Sequence, residues 1–282
     1  MIVTCDIGGS KGDWGFIGHD REIITVETPG FNPFIHDSSL FQEQLKSSFQ
    51  NIDLSKVNTV YYYGTGCREE SSKIKVRNLL HSIFLQAELE VDIDLLASAR
   101  ATCGHQKGIA CILGTGANSG LYDGKYIVDN IPTLGYLAGD EGSGANLGKL
   151  LIKSYFYREM PLEIRDAFEI FFPGKHEKIL QGLYTNPPAN QFLASFTKFA
   201  SNHLSHPFIQ KLLDQNFQSF IDTQLSKYEG HQILPANFVG SVAFYFQQEL
   251  MNCLKKNKIK AGIIIPKPLQ NLIQYHIDDE NN

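Results

Sequence analysis

Short apolar, β-rich runs alternate with stretches of helical spacing along this chain. Ile2 to Cys5 reads as a strand closed by Asp6, Gly8-Gly9-Ser10 as a tight turn, and Trp14 to Ile17 as the second arm of a hairpin. Ile23 to Glu27 follows as a third strand. Thr28-Pro29-Gly30-Phe31-Asn32-Pro33, with its prolines and glycine, reads as an extended loop. Leu40, Phe41, Leu45 and Phe49 have helical spacing behind an Asp37-Ser38-Ser39 start, which predicts a helix over Ser38 to Phe49. Val57 to Tyr63 is a strand ended by Gly64-Thr65-Gly66, and Val76 to Phe84 an amphipathic helix. Ala87 to Ile93 alternates as another strand and delivers Asp94 to an Ala-rich helix start.

The second half begins in the same way. Gly108 to Leu113 is an apolar strand, Gly114 to Gly120 a Gly-rich turn with a hydroxyl, Leu121-Tyr122 a second arm, and Asp123-Gly124 the next tight turn. Two hairpins of one type at the start of two sequence halves imply two related α/β domains facing a shared cleft. The boundaries fall at 1–105 and 106–266, the first open to completion by a C-terminal helix at 267–282, the second carrying a helical insertion. Gly135 to Gly148 is dense in glycine and acid and runs into a helix over Leu147 to Tyr157. Residues 155–230 read as helical and aromatic-rich, with helices over Ile164 to Phe172, Phe192 to Leu204 and Pro207 to Tyr228. Phe238 to Ala243 reads as a strand entering a Gly-Ser turn, then a helix to about Leu254. Gly262 to Ile265 closes the strands, Leu269 to Tyr275 is a last helix, and Asp278 to Asn282 is expected to fray.

Composition narrows the class. A chain of 282 residues fits two moderate domains, and 43% hydrophobic with 20% charged residues is ordinary for a soluble globular protein. The net charge of −5 argues against nonspecific nucleic-acid binding, which needs a basic footprint. Five cysteines without a Cys-x-x-Cys pair suit reduced thiols in the cytoplasm better than disulfides or a zinc site. No secretion signal and no membrane-length apolar run is visible. His203, His206 and His231 lack partner acids or cysteines in a ligand pattern and read as structural or surface residues.

Candidate chemistry sits at the strand ends. Gly8, Gly9 and Ser10 can present bare amides to phosphate oxygens, or the glycines can merely supply positive φ in a surface hairpin. Asp6 can hold Mg²⁺ opposite phosphates. Asn32 is either a ligand contact or an Asx-turn residue. Asp94 is an N-cap, a functional carboxylate at the carboxyl end of a strand, or both. Glycine-flanked Asp140 reads as a ligand contact, Glu141 as a helix-start acid. Gly240-Ser241 can face a nucleotide or simply begin a helix.

Taken in order, Asp6-Ile7-Gly8-Gly9-Ser10-Lys11, Asp94, Gly114-Thr115-Gly116-Ala117-Asn118, Gly139-Asp140-Glu141-Gly142-Ser143-Gly144 and Val239-Gly240-Ser241 resemble the N-acetylglucosamine kinase branch of the actin/hexokinase/Hsp70 superfamily. That branch is grouped with the BadF/BadG/BcrA/BcrD ATPases, the ATPase components of benzoyl-CoA reductase. The resemblance covers nearly the whole chain. It implies two ribonuclease-H-like α/β domains closing on ATP, Mg²⁺ and an amino sugar, as a cytoplasmic homodimer acting on neither nucleic acid nor membrane. It assigns Gly8, Gly9, Ser10 and Lys11, with Gly114, Thr115 and Gly116, to the phosphates, Gly240 and Ser241 to the nucleotide, and Asp6 to the metal. Asp94 becomes the catalytic base, and Asn32, Ala117, Asn118, Gly135 and Asp140 the sugar contacts. Two departures stand out. Gly12 replaces a usual hydroxyl residue, and the family's C-terminal Gly-Gly…Gly-Ala segment gives way to Pro266-Lys267-Pro268, implying an abbreviated adenine pocket or returning helix. Two alternatives stay open: an ATPase activator of a 2-hydroxyacyl-CoA dehydratase, which needs cysteines around an iron–sulfur cluster, and a non-catalytic nucleotide- or sugar-binding regulator.

Overall fold

The computed structural model describes residues 1–174, 176–185 and 188–279. From the N-terminus run β1 (Ile2–Ile7), β2 (Lys11–Ile17), β3 (Ile23–Pro29), α1 (Ser38–Ser48), β4 (Thr59–Gly64), α2 (Glu70–His81), β5 (Glu88–Ile93) and α3 (Asp94–Cys103). There follow β6 (Gly108–Leu113), β7 (Ala117–Tyr122), β8 (Ile127–Asp129), α4 (Gly135–Ala138), α5 (Gly144–Phe156), α6 (Leu162–Phe171), α7 (His176–Tyr184), α8 (Ala189–Ser195), α9 (Thr197–Asn202) and α10 (Pro207–Thr223). The chain ends with β9 (Ala236–Val239), α11 (Ser241–Tyr245), α12 (Gln247–Lys256), β10 (Ala261–Ile265) and α13 (Leu269–Asp279). It divides into two compact units. One comprises Met1–His105, Gly124–Tyr126 and the segment from Lys267 on; the other comprises Gln106–Asp123 and Ile127–Pro266.

Each unit is built on a five-stranded mixed sheet, in the order β3-β2-β1-β4-β5 in the first and β10-β9-β6-β7-β8 in the second. In the first, the hairpins pair antiparallel while β1, β4 and β5 run parallel. Side-chain alternation splits this sheet into two faces. Val3, Cys5, Trp14, Phe16 and Tyr62 pack with Phe41, Leu45 and Phe49 of the α1 side and Val76 and Leu80 of α2. On the other face Ile2 and Ile17 meet Leu269 and Ile273 of α13. In the second unit a larger core joins β6 and β9 to α5, α6, α10 and α12.

Strand ends follow hydrogen-bond pairing more than composition. Pairing of Ile7 with both Gly12 and Gly64 carries β1 past Asp6, which therefore lies inside the strand. Ala117 already pairs with Leu113, so the second turn contracts to Gly114–Gly116 and Asn118 to Gly120 are strand residues. Helix α2 opens six residues before the expected Val76, at Glu70, because its polar first turn still buries Ser72. The helix expected over 192–204 breaks at Phe196, whose buried ring lies among Phe168, Phe172 and Phe192. Phe246, also buried, similarly separates α11 from α12. Asp37 caps α1 as read, accepting from the Leu40 amide at 2.8 Å. The returning helix α13 is present and spans 11 residues. Of the expected frayed end, residues 280–282 lie outside the described residues.

Helix α13 is tied down by a buried polar cluster. Arg100 of α3 donates to the Tyr63 hydroxyl and to Glu90 at 3.1 Å. Tyr63 bonds His276 Nε2 at 3.0 Å, and the His276 ring stacks on Tyr61. His276 is 1% exposed, and its Nδ1 has no hydrogen-bond partner among the described residues. Burial, with the Arg100 charge nearby, holds its pKa down to about 3. The unfolded chain takes up a proton on this residue below about pH 6.5 while the folded chain does not, so stability falls as pH drops from there toward 3. His276→Phe keeps the stack and removes the titration. Comparing denaturant unfolding at pH 7 and pH 4, the wild type should lose on the order of 2–3 kcal/mol more than the variant. Equal losses would refute this account.

Candidate functional site

In the first unit, Ile7, Gly64 and Ile93 stand in one register row at the carboxyl ends of the parallel strands. The next residues along each strand, Gly8, Thr65 and Asp94, are the first beyond the sheet. The Thr65 amide donates back to Ile7 O at 2.9 Å, which fixes that edge. One row inside lies an unusual set of acids. Glu27 pairs directly with Asp13, Asp13 with Asp6, Asp6 with Tyr63, and Tyr63 with Asp92. Directly paired residues share a face, and like charges placed opposite repel. Lys11 answers Glu27 at 2.8 Å, Lys267 answers Asp13 at 2.8 Å, and Lys73 answers Asp92 at 3.1 Å. Asp6 has no ion pair among the described residues. Burial, then the charges of Asp94 and Asp13, push its pKa up to about 8 against the pull of Lys267.

Asp94 is the first residue of α3, and Ile93 occupies the cap position, so the simple N-cap reading does not hold. Burial raises its pKa. The Leu95 amide, the Thr65 hydroxyl and Arg68 draw it back toward the ionised form, as does its own amide. An acid in a helix's first turn is also favoured by the dipole. The result is a carboxylate shifted toward neutrality yet kept chargeable, which is what a general base needs.

The first hairpin turn is held from outside. The Gly8 amide donates to Lys11 O at 2.9 Å, while Gly9 and Ser10 are exposed. Gly30 crosses this turn so closely that a Cβ there would lie 2.3 Å from Gly8 O and 2.5 Å from the nitrogens of Ser10 and Lys11. Lys11 itself reaches sideways to Glu27. Asn32 forms the Asx turn, its Oδ1 accepting from Phe34 N at 3.0 Å, and its carboxamide also lies against Gly66, beside Thr65. Asn32, Thr65 and Asp94 thus belong to one edge.

In the second unit the Gly114–Gly116 turn is held by the start of α5. Amides of Gly144 and Ala145 donate to Gly114 O at 2.8 Å and Thr115 O at 3.1 Å. Ser143, not Glu141, caps this helix by accepting from Asn146 N at 3.1 Å. Asn216, fully buried, joins Asn146 and Ser143 at 2.8 and 3.3 Å. Asp140 adopts φ +58° and turns its carboxylate into the hairpin, against Gly116 and toward the Ala117 amide. Gly240, at φ +124°, lies against the end of β6, where a Cβ would be 2.4 Å from Leu113 O. Ser241 beside it lines a cavity of about 280 Å³ with Lys198, Tyr245 and Phe246. Asn118 accepts from Asn130 at 3.1 Å on β7, and Gly135 begins α4 at φ +70°.

Cys5, Cys67 and Cys111 are buried, and burial pushes the Cys67 thiol up to about 12. Among the described residues no group of three or more His, Cys, Asp or Glu is arranged to hold a metal by itself. Among the described residues no helix is long and apolar enough to cross a membrane.

Sequence reasoning missed Gly30, Asp13 and Lys267. Asp13 was readable from the hairpin, since it falls opposite Asp6 once the turn is fixed. Lys267 is 254 positions from Asp13 and left no local signal.

Among solved structures, a candidate N-acetylglucosamine kinase from Porphyromonas gingivalis is 36% identical, covering 99% of this chain and 100% of its own, with a TM-score of 0.93. A candidate N-acetylglucosamine kinase from Chromobacterium violaceum is 18% identical over 97% of this chain and 98% of its own, with a TM-score of 0.72. A candidate sugar kinase from Cytophaga hutchinsonii is 12% identical over 99% of each chain, with a TM-score of 0.55. The latter two are alike in fold alone. No protein-family model matches the chain, and no curated protein matches it.

Gly30→Ala should displace the first turn at a cost of about 1–3 kcal/mol, the usual range for overpacking. Hydrogen exchange should quicken at Gly8 to Lys11. Unchanged protection there would show that Gly30 does not support the turn.

Proposed function

The chain belongs to the N-acetylglucosamine kinase family of actin-like ATPases, and on that footing we propose how its residues divide the work of phosphoryl transfer. The protein is an ATP-dependent sugar kinase of two α/β units. Its acceptor, in our reading, is a hydroxyl of an N-acetylated amino sugar. The observation that carries the assignment of roles is the state of Asp6 and Asp94. In an acid row where every other carboxylate has its own lysine, Asp6 has none, and Asp94 stands beside it at the open edge of the sheet.

Asp6 fits a Mg²⁺ ion that arrives with phosphate. A single carboxylate, short of a counter-charge, suits a cation that keeps waters and takes its other oxygens from a nucleotide. When bound, the metal neutralises charge on the transferring phosphates. Gly8, Gly9 and Ser10 offer one turn of amides to those phosphates and Gly114, Thr115 and Gly116 another, with Gly240 and Ser241 on the nucleoside side. Lys11 and Asp140 enter through what they hold, Glu27 and the Ala117 amide respectively. Asn32, with Ala117, Asn118 and Gly135, orients the sugar.

In the transfer itself the sugar oxygen bonds to the γ-phosphorus, the bond from that phosphorus to the bridging oxygen breaks, and ADP departs. Asp94 takes the proton released by the sugar hydroxyl. The buried thiols favour this reading over the cluster-bearing activator, since a thiol held protonated is a poor iron ligand.

A coupled assay with ATP and Mg²⁺ over N-acetylglucosamine, N-acetylmuramic acid, glucosamine and glucose should show turnover, highest on an N-acetylated sugar. Asp94→Asn should lower kcat by roughly 10²- to 10⁴-fold while leaving ADP binding intact. Because burial raises the Asp94 pKa and the ionised form is the active one, the acid limb of kcat/KM should lie above the ordinary carboxylate range. Turnover of the variant within a few-fold of wild type would remove Asp94 from the role of base.

A further inference from the structure

The segment Pro266-Lys267-Pro268, which departs from the family's glycine-rich end, lies next to the acid row of the first unit. Lys267 Nζ is 2.8 Å from Asp13 Oδ1 and 3.6 Å from Glu27 Oε2. Asp13 is largely buried, with a side chain 19% exposed. The lysine is not placed loosely. Prolines on both sides restrict the backbone, and Leu269 and Ile273 immediately after it are anchored in the first unit's core. An exposed ion pair contributes little by itself. Here the pair does something more specific, because Asp13 is also the direct cross-strand partner of Asp6.

Two carboxylates opposite one another on a sheet either repel or take a divalent cation between them. We propose that Lys267 is a positioning residue of the phosphate site, holding Asp13 in an ion pair so that Asp6 is the single carboxylate left to receive a divalent cation. This rests on the assignment of Asp6 to the metal made above. A one-carboxylate site binds a hydrated divalent ion weakly by itself, and firmly only when phosphate oxygens complete the coordination. Lys267 therefore couples occupancy by the cation to occupancy by the nucleotide. A lysine serving merely to tack α13 to the sheet would have no such effect.

The test uses Mn²⁺ as a paramagnetic probe, titrated into the full chain without nucleotide and read by electron paramagnetic resonance. Wild type should bind it weakly. Lys267→Met should bind it at least ten-fold more tightly, Lys267→Arg should behave as wild type, and Asp13→Asn combined with Lys267→Met should return to weak binding. Lys267→Gln replaces the methionine variant if that one does not fold, as judged by its melting curve. A folded, charge-removed variant with unchanged Mn²⁺ affinity overturns the proposal, as does a double variant that binds as tightly as the single one. Wild-type turnover on the sugar panel is measured separately. Turnover without the Mn²⁺ shift sinks this inference alone, whereas the shift without turnover sinks the kinase reading and spares the divalent site.

Discussion

The constraint on which the first unit depends is the repulsion among carboxylates set side by side across one sheet. Glu27, Asp13 and Asp6 face one another on consecutive antiparallel strands, and Asp92 closes the row beyond Tyr63. A sheet tolerates such a row only with cations interleaved. Three lysines from three different parts of the chain supply them, and the one acid without a lysine lies next to the glycine turn. The repulsion therefore falls on one side chain, Asp6, whose pKa burial and the neighbouring acids push up to about 8. Strain of this kind, held in place by the surrounding fold, is common where a ligand supplies the missing charge.

The second unit meets a different requirement. Its turn must keep its peptide groups facing one way before any ligand arrives. The first amides of α5 hold the carbonyls of Gly114 and Thr115, while Asp140 faces the amide of Ala117. The Gly-Asp-Glu-Gly-Ser-Gly stretch, which reads as ligand-binding in the sequence, is in large part the scaffold of this turn. Ser143 caps the helix, Gly142 lies close against Phe220 and Gly144 against Thr197 and Ala194, and buried Asn216 binds the whole to α10.

What was legible in the sequence was local. Apolar alternation located the strands, and glycines next to acids located both turns, because turn chemistry is written within a few residues. Strand limits drifted by one to four residues because pairing with a neighbour, not composition, ends a strand, as at Asp6 and Ala117. Ser143 was overlooked as the cap since Gly144, a poor helix former, disguises the first turn. The interruptions at Phe196 and Phe246 depend on where large rings are buried, and no periodicity announces that. Lys267 was invisible for the plainest reason: its partner is at the other end of the chain.

The packing of α13 on the first sheet also bears on the order in which the molecule is made. Residues Met1 to His105 leave the ribosome first, yet the face of their sheet that carries Ile2, Ile17 and Tyr61 stays uncovered until Leu269 to His276 have been synthesised. The second unit fills its core with residues that lie between Ile109 and Ile264. The half translated later is therefore free to fold earlier, and the N-terminal half waits with an apolar face exposed. For a protein of this connectivity, the time taken to translate from His105 to His276 sets how long a chaperone has something to hold.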